Sequence, residues 1–129
     1  MKYTMISIAC LGLLQMLLAI NVSINRIQGR VSSGTPDDVE HPLHRAIVAH
    51  RNACEFGPIL CVLLLALQLG ASPYWTIYLG PLTVLLRTTH AIGLTQFSLR
   101  RPNMLRRLGA GGTYVLSLVL VGTLFYTLM

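Results

Sequence analysis

Arg51, Asn52 and Glu55 crowd into one turn and a half of a stretch otherwise rich in Ala, Val, Ile and Leu, and Arg87 and His90 form a second polar pair further on. On a helix, Arg51 and Glu55 at i,i+4 and Asn52 and Glu55 at i,i+3 share one neighbourhood, so an ion pair can form between the first two. Arg87 and His90, three apart, make a polar stripe of their own. Two arginines, joined by Arg106 or Arg107, stand against the single Glu55, so positive charge is in excess. A ligand bearing carboxylates would balance it, because a guanidinium holds each carboxylate by two parallel hydrogen bonds. The chemistry on offer is recognition of an anion.

The elements that must carry these residues are read from the rest of the chain. Its 129 residues are 53% hydrophobic and 11% charged, and the mean hydropathy of +0.63 is that of a lipid-embedded protein. A span takes about 20 apolar residues, so this length suits one domain, residues 1–129, of four transmembrane helices in an antiparallel bundle. The spacing predicts helices over 3–25, 44–69, 73–97 and 104–128. The run from Tyr3 to Ile20 has no charge and no small-x-small site to close it as a cleaved signal, so it is expected to be a first span. Gly29, Ser32, Ser33, Gly34, Pro36, Asp37, Asp38 and Glu40 compose a loop. Ser72 is expected to cap the third helix with Pro73 in its first position. Pro58 and Pro81 are expected to kink helices two and three.

The net charge of +6 could signify nucleic acid, anionic lipid or an anionic ligand. The positions decide. Arg26, Arg30, Arg45, Arg100, Arg101, Arg106 and Arg107 lie in or beside the first and third loops, residues 26–44 and 98–106, which the positive-inside rule places in the cytosol. The basic excess is thereby a topology signal, and nucleic acid is not needed to explain it. Tyr74, Trp75, Tyr78, Phe125 and Tyr126 fall at the opposite face as an interfacial belt. Cys10, Cys54 and Cys61 are odd in number and set among apolar residues, which suggests apolar filler and neither a disulfide framework nor a metal site.

With a rise of ~1.5 Å per residue, Arg51 and Glu55 lie roughly 9 and 15 Å beyond Arg45, inside the cytosolic half of the bilayer. An unpaired charge at the bilayer centre costs ~2.5 kcal/mol or more, so these side chains are expected to face the bundle interior or a wet cavity. Asn103, Met104 and Leu105 open the fourth helix, whose free amides and dipole add attraction for an anion beside Arg106 and Arg107. The competing reading is an internal ion-pair network that sets helix register, with His50 and His90 as satisfied hydrogen-bonders.

The stretch Arg45-Ala46-Ile47-Val48-Ala49-His50-Arg51-Asn52-Ala53-Cys54-Glu55-Phe56-Gly57-Pro58 resembles the helix-two signature of membrane-associated proteins in eicosanoid and glutathione metabolism (MAPEG). Arg87-Thr88-Thr89-His90 is similar to that family's helix-three pattern, and Arg106-Arg107-Leu108-Gly109 to the start of its fourth helix. The resemblance, closest to bacterial-type members, implies a homotrimer in a bacterial inner membrane, with glutathione between neighbouring subunits near the cytosolic face. Carried over residue by residue, it implies that Arg51, Asn52 and Glu55 hold glutathione, that Arg87 and His90 line or brace the pocket, and that Arg107 approaches the sulfur, with Arg106 as the alternative. The implied activity is that of a glutathione S-transferase-like enzyme, a transferase, peroxidase or isomerase acting on a lipophilic electrophile that arrives from membrane lipid. Eukaryotic members often carry Tyr four residues after the helix-three His, where this chain has Leu94, with Tyr114 as a possible substitute hydroxyl. The alternative is therefore a non-catalytic glutathione- or lipid-binding membrane protein. Two readings from other classes are a haem carrier using His50 and His90 as axial ligands and a small transporter relaying protons through Glu55.

Overall fold

A computed structural model describes residues 2–70 and 73–129; Ser72, the expected cap, lies outside the described residues. The chain forms α1 (Lys2–Gly29), α2 (Pro42–Leu69), a 3-10 helix (Tyr74–Tyr78), α3 (Leu79–Thr95) and α4 (Met104–Leu128).

The ends of these helices have local causes. α1 continues past the expected stop at residue 25 and closes where Arg30 adopts a left-handed φ of 53°. The Val31 N–H then reaches Arg26 O at 3.1 Å and the Arg30 N–H reaches Ile27 O at 3.2 Å, satisfying carbonyls left over at the helix end. α2 starts earlier than expected because His41 Nδ1 accepts a hydrogen bond from the Leu43 N–H at 3.1 Å and Pro42 takes a first-turn position that needs no donor. Helix three differs more. Its aromatic start, Tyr74–Tyr78, is wound as a 3-10 helix, and Pro81 falls in the first turn of α3, where a missing N–H breaks no bond, rather than at an interior kink. α2 runs on through Pro58 without interruption.

α1, α2 and α4 are each long and apolar enough to cross a membrane. The 17 residues of α3 rise ~25 Å, and the 3-10 helix adds ~10 Å, so together they complete the fourth pass. α3 packs most closely on α4 and α1 on α2, with α2 also meeting α3. Toward the Gly70 end the core is Leu11, Leu60, Leu64, Leu67, Leu79, Leu116 and Leu120. Toward the other end it narrows to Leu18, Ala49, Ala53, Ala91 and Leu94, where the three small alanines let backbones approach.

The first and third loops meet at that narrow end. Glu40 Oε1 accepts hydrogen bonds from Ser98 Oγ (2.7 Å) and the N–H groups of Leu99 (3.0 Å) and Arg100 (3.1 Å), while Arg100 Nη2 pairs with Asp38 Oδ1 at 3.1 Å. Both basic loops therefore share one end of the bundle, as the alternating topology requires. The aromatic side chains Tyr74, Trp75, Tyr78, Phe125 and Tyr126 are all exposed.

Candidate functional site

Arg87 is the centre of the polar cluster. Only 4% exposed, it projects from α3 toward α2, where its Nη2 donates to Asn52 O at 3.1 Å and Asn52 Oδ1 at 2.7 Å. Its guanidinium carbon lies 5.2 Å from the centroid of the Phe56 ring, a contact that stabilises a cation by ~0.5–2 kcal/mol depending on desolvation. Phe56 in turn meets the ring of Tyr114 on α4, with centroids 5.7 Å apart and planes at 52°. Helices two and three face each other through Asn52 and Arg87, as their polar stripes predict. Phe56 and Tyr114 extend the cluster onto α4.

Among the described residues, no carboxylate lies within salt-bridge distance of Arg87. Its partner is a neutral amide, so its charge is solvated but not cancelled. Because Asn52 Oδ1 is taken by Arg87, the atom Asn52 can still offer is the donor Nδ2.

His90 is also buried, at 7%. Its Nδ1 lies 3.1 Å from Arg106 O, and since a carbonyl can only accept, Nδ1 carries the proton and Nε2 is left unprotonated in the neutral ring. This close approach of α3 to α4 depends on Gly109: a Cβ there would come within 2.5 Å of His90 Cβ. Asn103 ties the same elements together, accepting from the Arg106 N–H at 2.9 Å through Oδ1 and donating to Gly93 O at 3.0 Å through Nδ2. It caps the fourth helix, which opens at Met104, and so spends one of the amides that the sequence reading left free for an anion.

The structure separates Arg106 from Arg107. Arg106 Nη1 donates to Leu99 O at 3.3 Å and Arg101 O at 3.4 Å, holding the third loop. Arg107 is exposed, and its side chain has no hydrogen bond or ion pair among the described residues.

Arg51 and Glu55 depart from expectation. They form the anticipated i,i+4 pair, but at 3.8 Å and with 71% and 56% of their side chains exposed. The inward face of α2 is Leu43, Ala46, Ala49, Ala53, Leu60, Leu64 and Leu67. Arg51 and Glu55 occupy the opposite face and point away from the chain's own bundle. The physical reason is periodicity: the small and apolar residues every three or four positions claim the interior, and residues 51 and 55 fall between them. Two further cations lie nearer the loops. Arg26 Nη1 and Arg45 Nε are buried atoms with no hydrogen-bond partner among the described residues.

His50 and His90, considered together as axial ligands, are engaged with different neighbours: His90 with Arg106 on α4, and His50 Nε2 with Cys54 Sγ at 3.4 Å. Leu94, where the family resemblance leads one to look for a hydroxyl, is 4% exposed and packs in the chain's own apolar layer. Sequence reasoning missed Phe56, although its place directly after Glu55 is a helix turn from Asn52 and could have marked it.

Comparison with curated proteins and with solved structures returns no match. The model of the MAPEG family matches residues 4–126, a stretch that contains all the residues of the Asn52–Arg87 cluster and nearly the whole of all four helices. An all-helical bundle of apolar helices, closed around a buried arginine and matched along almost its entire length, thus belongs to the MAPEG family and is an integral membrane protein.

Proposed function

We propose that this protein binds glutathione near the loop-bearing end of the bundle and uses it against a lipophilic electrophile drawn from the bilayer. The observation that carries the reading is Arg87, a nearly buried cation held by a neutral amide, with no carboxylate within salt-bridge distance among the described residues. The orphan donors of Arg26 and Arg45 point the same way, toward an anion. The family membership supports a role tied to glutathione in the membrane.

In this reading Arg51 takes a carboxylate of the tripeptide, Glu55 its ammonium group, and Asn52 donates through Nδ2. Arg87 fixes Asn52 in that orientation, and His90 braces α3 against α4. Glutathione supplies a thiol, whose ordinary pKa is ~8.5, and a neighbouring guanidinium favours the nucleophilic thiolate. Arg107 is the cation assigned to that task, because Arg106 is committed to the third loop. Both basic loops face the cytosol by the positive-inside rule.

The outward Arg51 and Glu55 support association between copies of the chain, for which the family resemblance implies a homotrimer. A charged side chain facing hydrocarbon costs ~2.5–3.5 kcal/mol at the helix centre on the lenient scale, and less toward the interface. A neighbouring copy placed against that face of α2 removes the cost and turns an exposed pair into the wall of a site between subunits. Calorimetric titration of glutathione into detergent-solubilised protein tests the reading: saturable binding in the wild type, weakened at least tenfold in Arg51→Ala and in Glu55→Ala, is expected. Equal affinity in all three proteins overturns it.

Leu94 favours a second reading, a glutathione-binding protein without turnover, since no hydroxyl stands at that position and the side chain is enclosed in the core. Ultraviolet difference absorbance separates the two. Thiolate formation on adding glutathione supports the enzyme, and binding without thiolate supports the second reading.

A further inference from the structure

Gln15 is a carboxamide in the middle of a helix that is uncharged from Tyr3 to Ile20. A polar group of this kind is costly to leave unpartnered away from water, so its place demands a partner. Its Nε2 donates to Cys54 Sγ across the α1–α2 contact at 3.5 Å. Gly57 makes room for it: a Cβ there would meet Gln15 Oε1 at 3.1 Å. On its other side the same sulfur is 3.4 Å from His50 Nε2, one turn back on α2.

Cys54 therefore has both an amide donor and an imidazole, which a cysteine serving as apolar filler lacks. Cys10 and Cys61 are free and half-buried like Cys54, but have no polar partner for their sulfurs among the described residues. An imidazole within reach can take the thiol proton, and an amide N–H aimed at sulfur stabilises the thiolate that remains.

We propose that Cys54, with His50 as its base and Gln15 as the donor to its thiolate, is a site of covalent capture for lipophilic α,β-unsaturated carbonyl compounds. The thiol proton passes to His50 Nε2. The sulfur lone pair forms an S–C bond at the β-carbon of the electrophile, the C=C electrons shift to the carbonyl oxygen as an enolate, and the proton on His50 returns to the α-carbon. Nothing leaves, no oxidant or reductant is consumed, and no glutathione takes part, so this site is independent of the function proposed above.

The test uses the full-length protein in detergent or nanodiscs, without glutathione, treated with a medium-chain 2-alkenal and followed by intact mass and peptide mapping. The expected result is that Cys54 acquires one adduct at least tenfold faster than Cys10 or Cys61, that Cys54→Ser abolishes the fast phase, and that His50→Gln and Gln15→Leu each slow it fivefold or more. Equal rates at the three cysteines of the wild type overturn the proposal without recourse to any variant. A Cys54 rate unchanged by His50→Gln, in protein whose circular dichroism is native, overturns it as well.

Discussion

The weight carried by a single side chain here depends on whether its charge is enclosed. Arg87 is enclosed and satisfied by Asn52, so Asn52→Ala takes from a buried guanidinium its 2.7 Å hydrogen bond to Oδ1 and leaves the one to the backbone carbonyl. Hydrogen bonds to charged groups are worth ~1.5–3 kcal/mol, and that loss is the expected drop in unfolding free energy on denaturant titration in detergent. Only the side-chain bond is removed by the substitution, which places the effect toward the lower value. Arg51→Ala, by contrast, removes an exposed 3.8 Å pair and is expected to cost the isolated chain under ~1 kcal/mol. The two variants thus separate a stabilising arginine–amide contact from an arginine proposed to face the ligand. Tyr114 lies beside Phe56 and through it beside Arg87. If its hydroxyl serves the chemistry that Leu94 cannot, Tyr114→Phe lowers turnover by tenfold or more with little change in glutathione affinity. Unchanged kcat in that variant removes Tyr114 from the mechanism.

Between elements, two junctions hold the functional end together. One is the contact of Gly109 with His90, where an added methyl has nowhere to go. Gly109→Ala is expected to force α4 away from α3 and destabilise the bundle by ~1–3 kcal/mol, read as a lowered unfolding midpoint. The other is the loop clamp at Glu40. Its hydrogen bond from Ser98, with those from Arg100 and Leu99, holds the Glu40 carboxyl below the usual carboxylate range, and the backbone N–H of Glu40 together with Arg100 does the same for Asp38. A depressed pKa means that the folded state binds its proton less readily than the unfolded chain. The clamp's contribution is therefore fully present above about pH 4–5 and is lost as pH falls through the lower folded values. Hydrogen exchange at the Leu99 and Arg100 amides should show it: protection at neutral pH, falling in acid. In Glu40→Ala the same amides should exchange quickly even at neutral pH.

The molecule as a whole is a bundle with one unbalanced face. α2 is 28 residues long, ~42 Å against a hydrocarbon core of ~30 Å, so its first turns lie at the interface and Arg51 enters the apolar zone at its edge. A single copy leaves Arg51 and Glu55 against lipid at that edge. Association through this face is the economical solution, and native mass spectrometry in mild detergent is expected to show three copies. A protein that remains monomeric across detergents and concentrations would require the proposed glutathione site to be built within one chain, which the outward direction of Arg51 and Glu55 opposes.

Much was legible before any fold was known, because membrane insertion imposes a simple rule: apolar runs of span length, separated by basic or turn-rich loops, must become helices. That rule yielded four helices, the polar stripes on helices two and three, and the pairing of the two basic loops at one end. The local motifs likewise pointed to Arg51, Asn52, Glu55, Arg87 and His90 as one group. What only the tertiary structure decided is how that group divides. Side-chain periodicity says which residues share a face, but not which face meets a neighbouring helix, since that is settled by where small residues such as Ala49, Ala53 and Gly109 permit close approach. Packing turned Asn52 and Arg87 inward to each other and Arg51 and Glu55 outward. It brought Phe56 and Tyr114 from separate helices to the same arginine, and set Gln15 and His50 on either side of a cysteine that composition alone marked as filler.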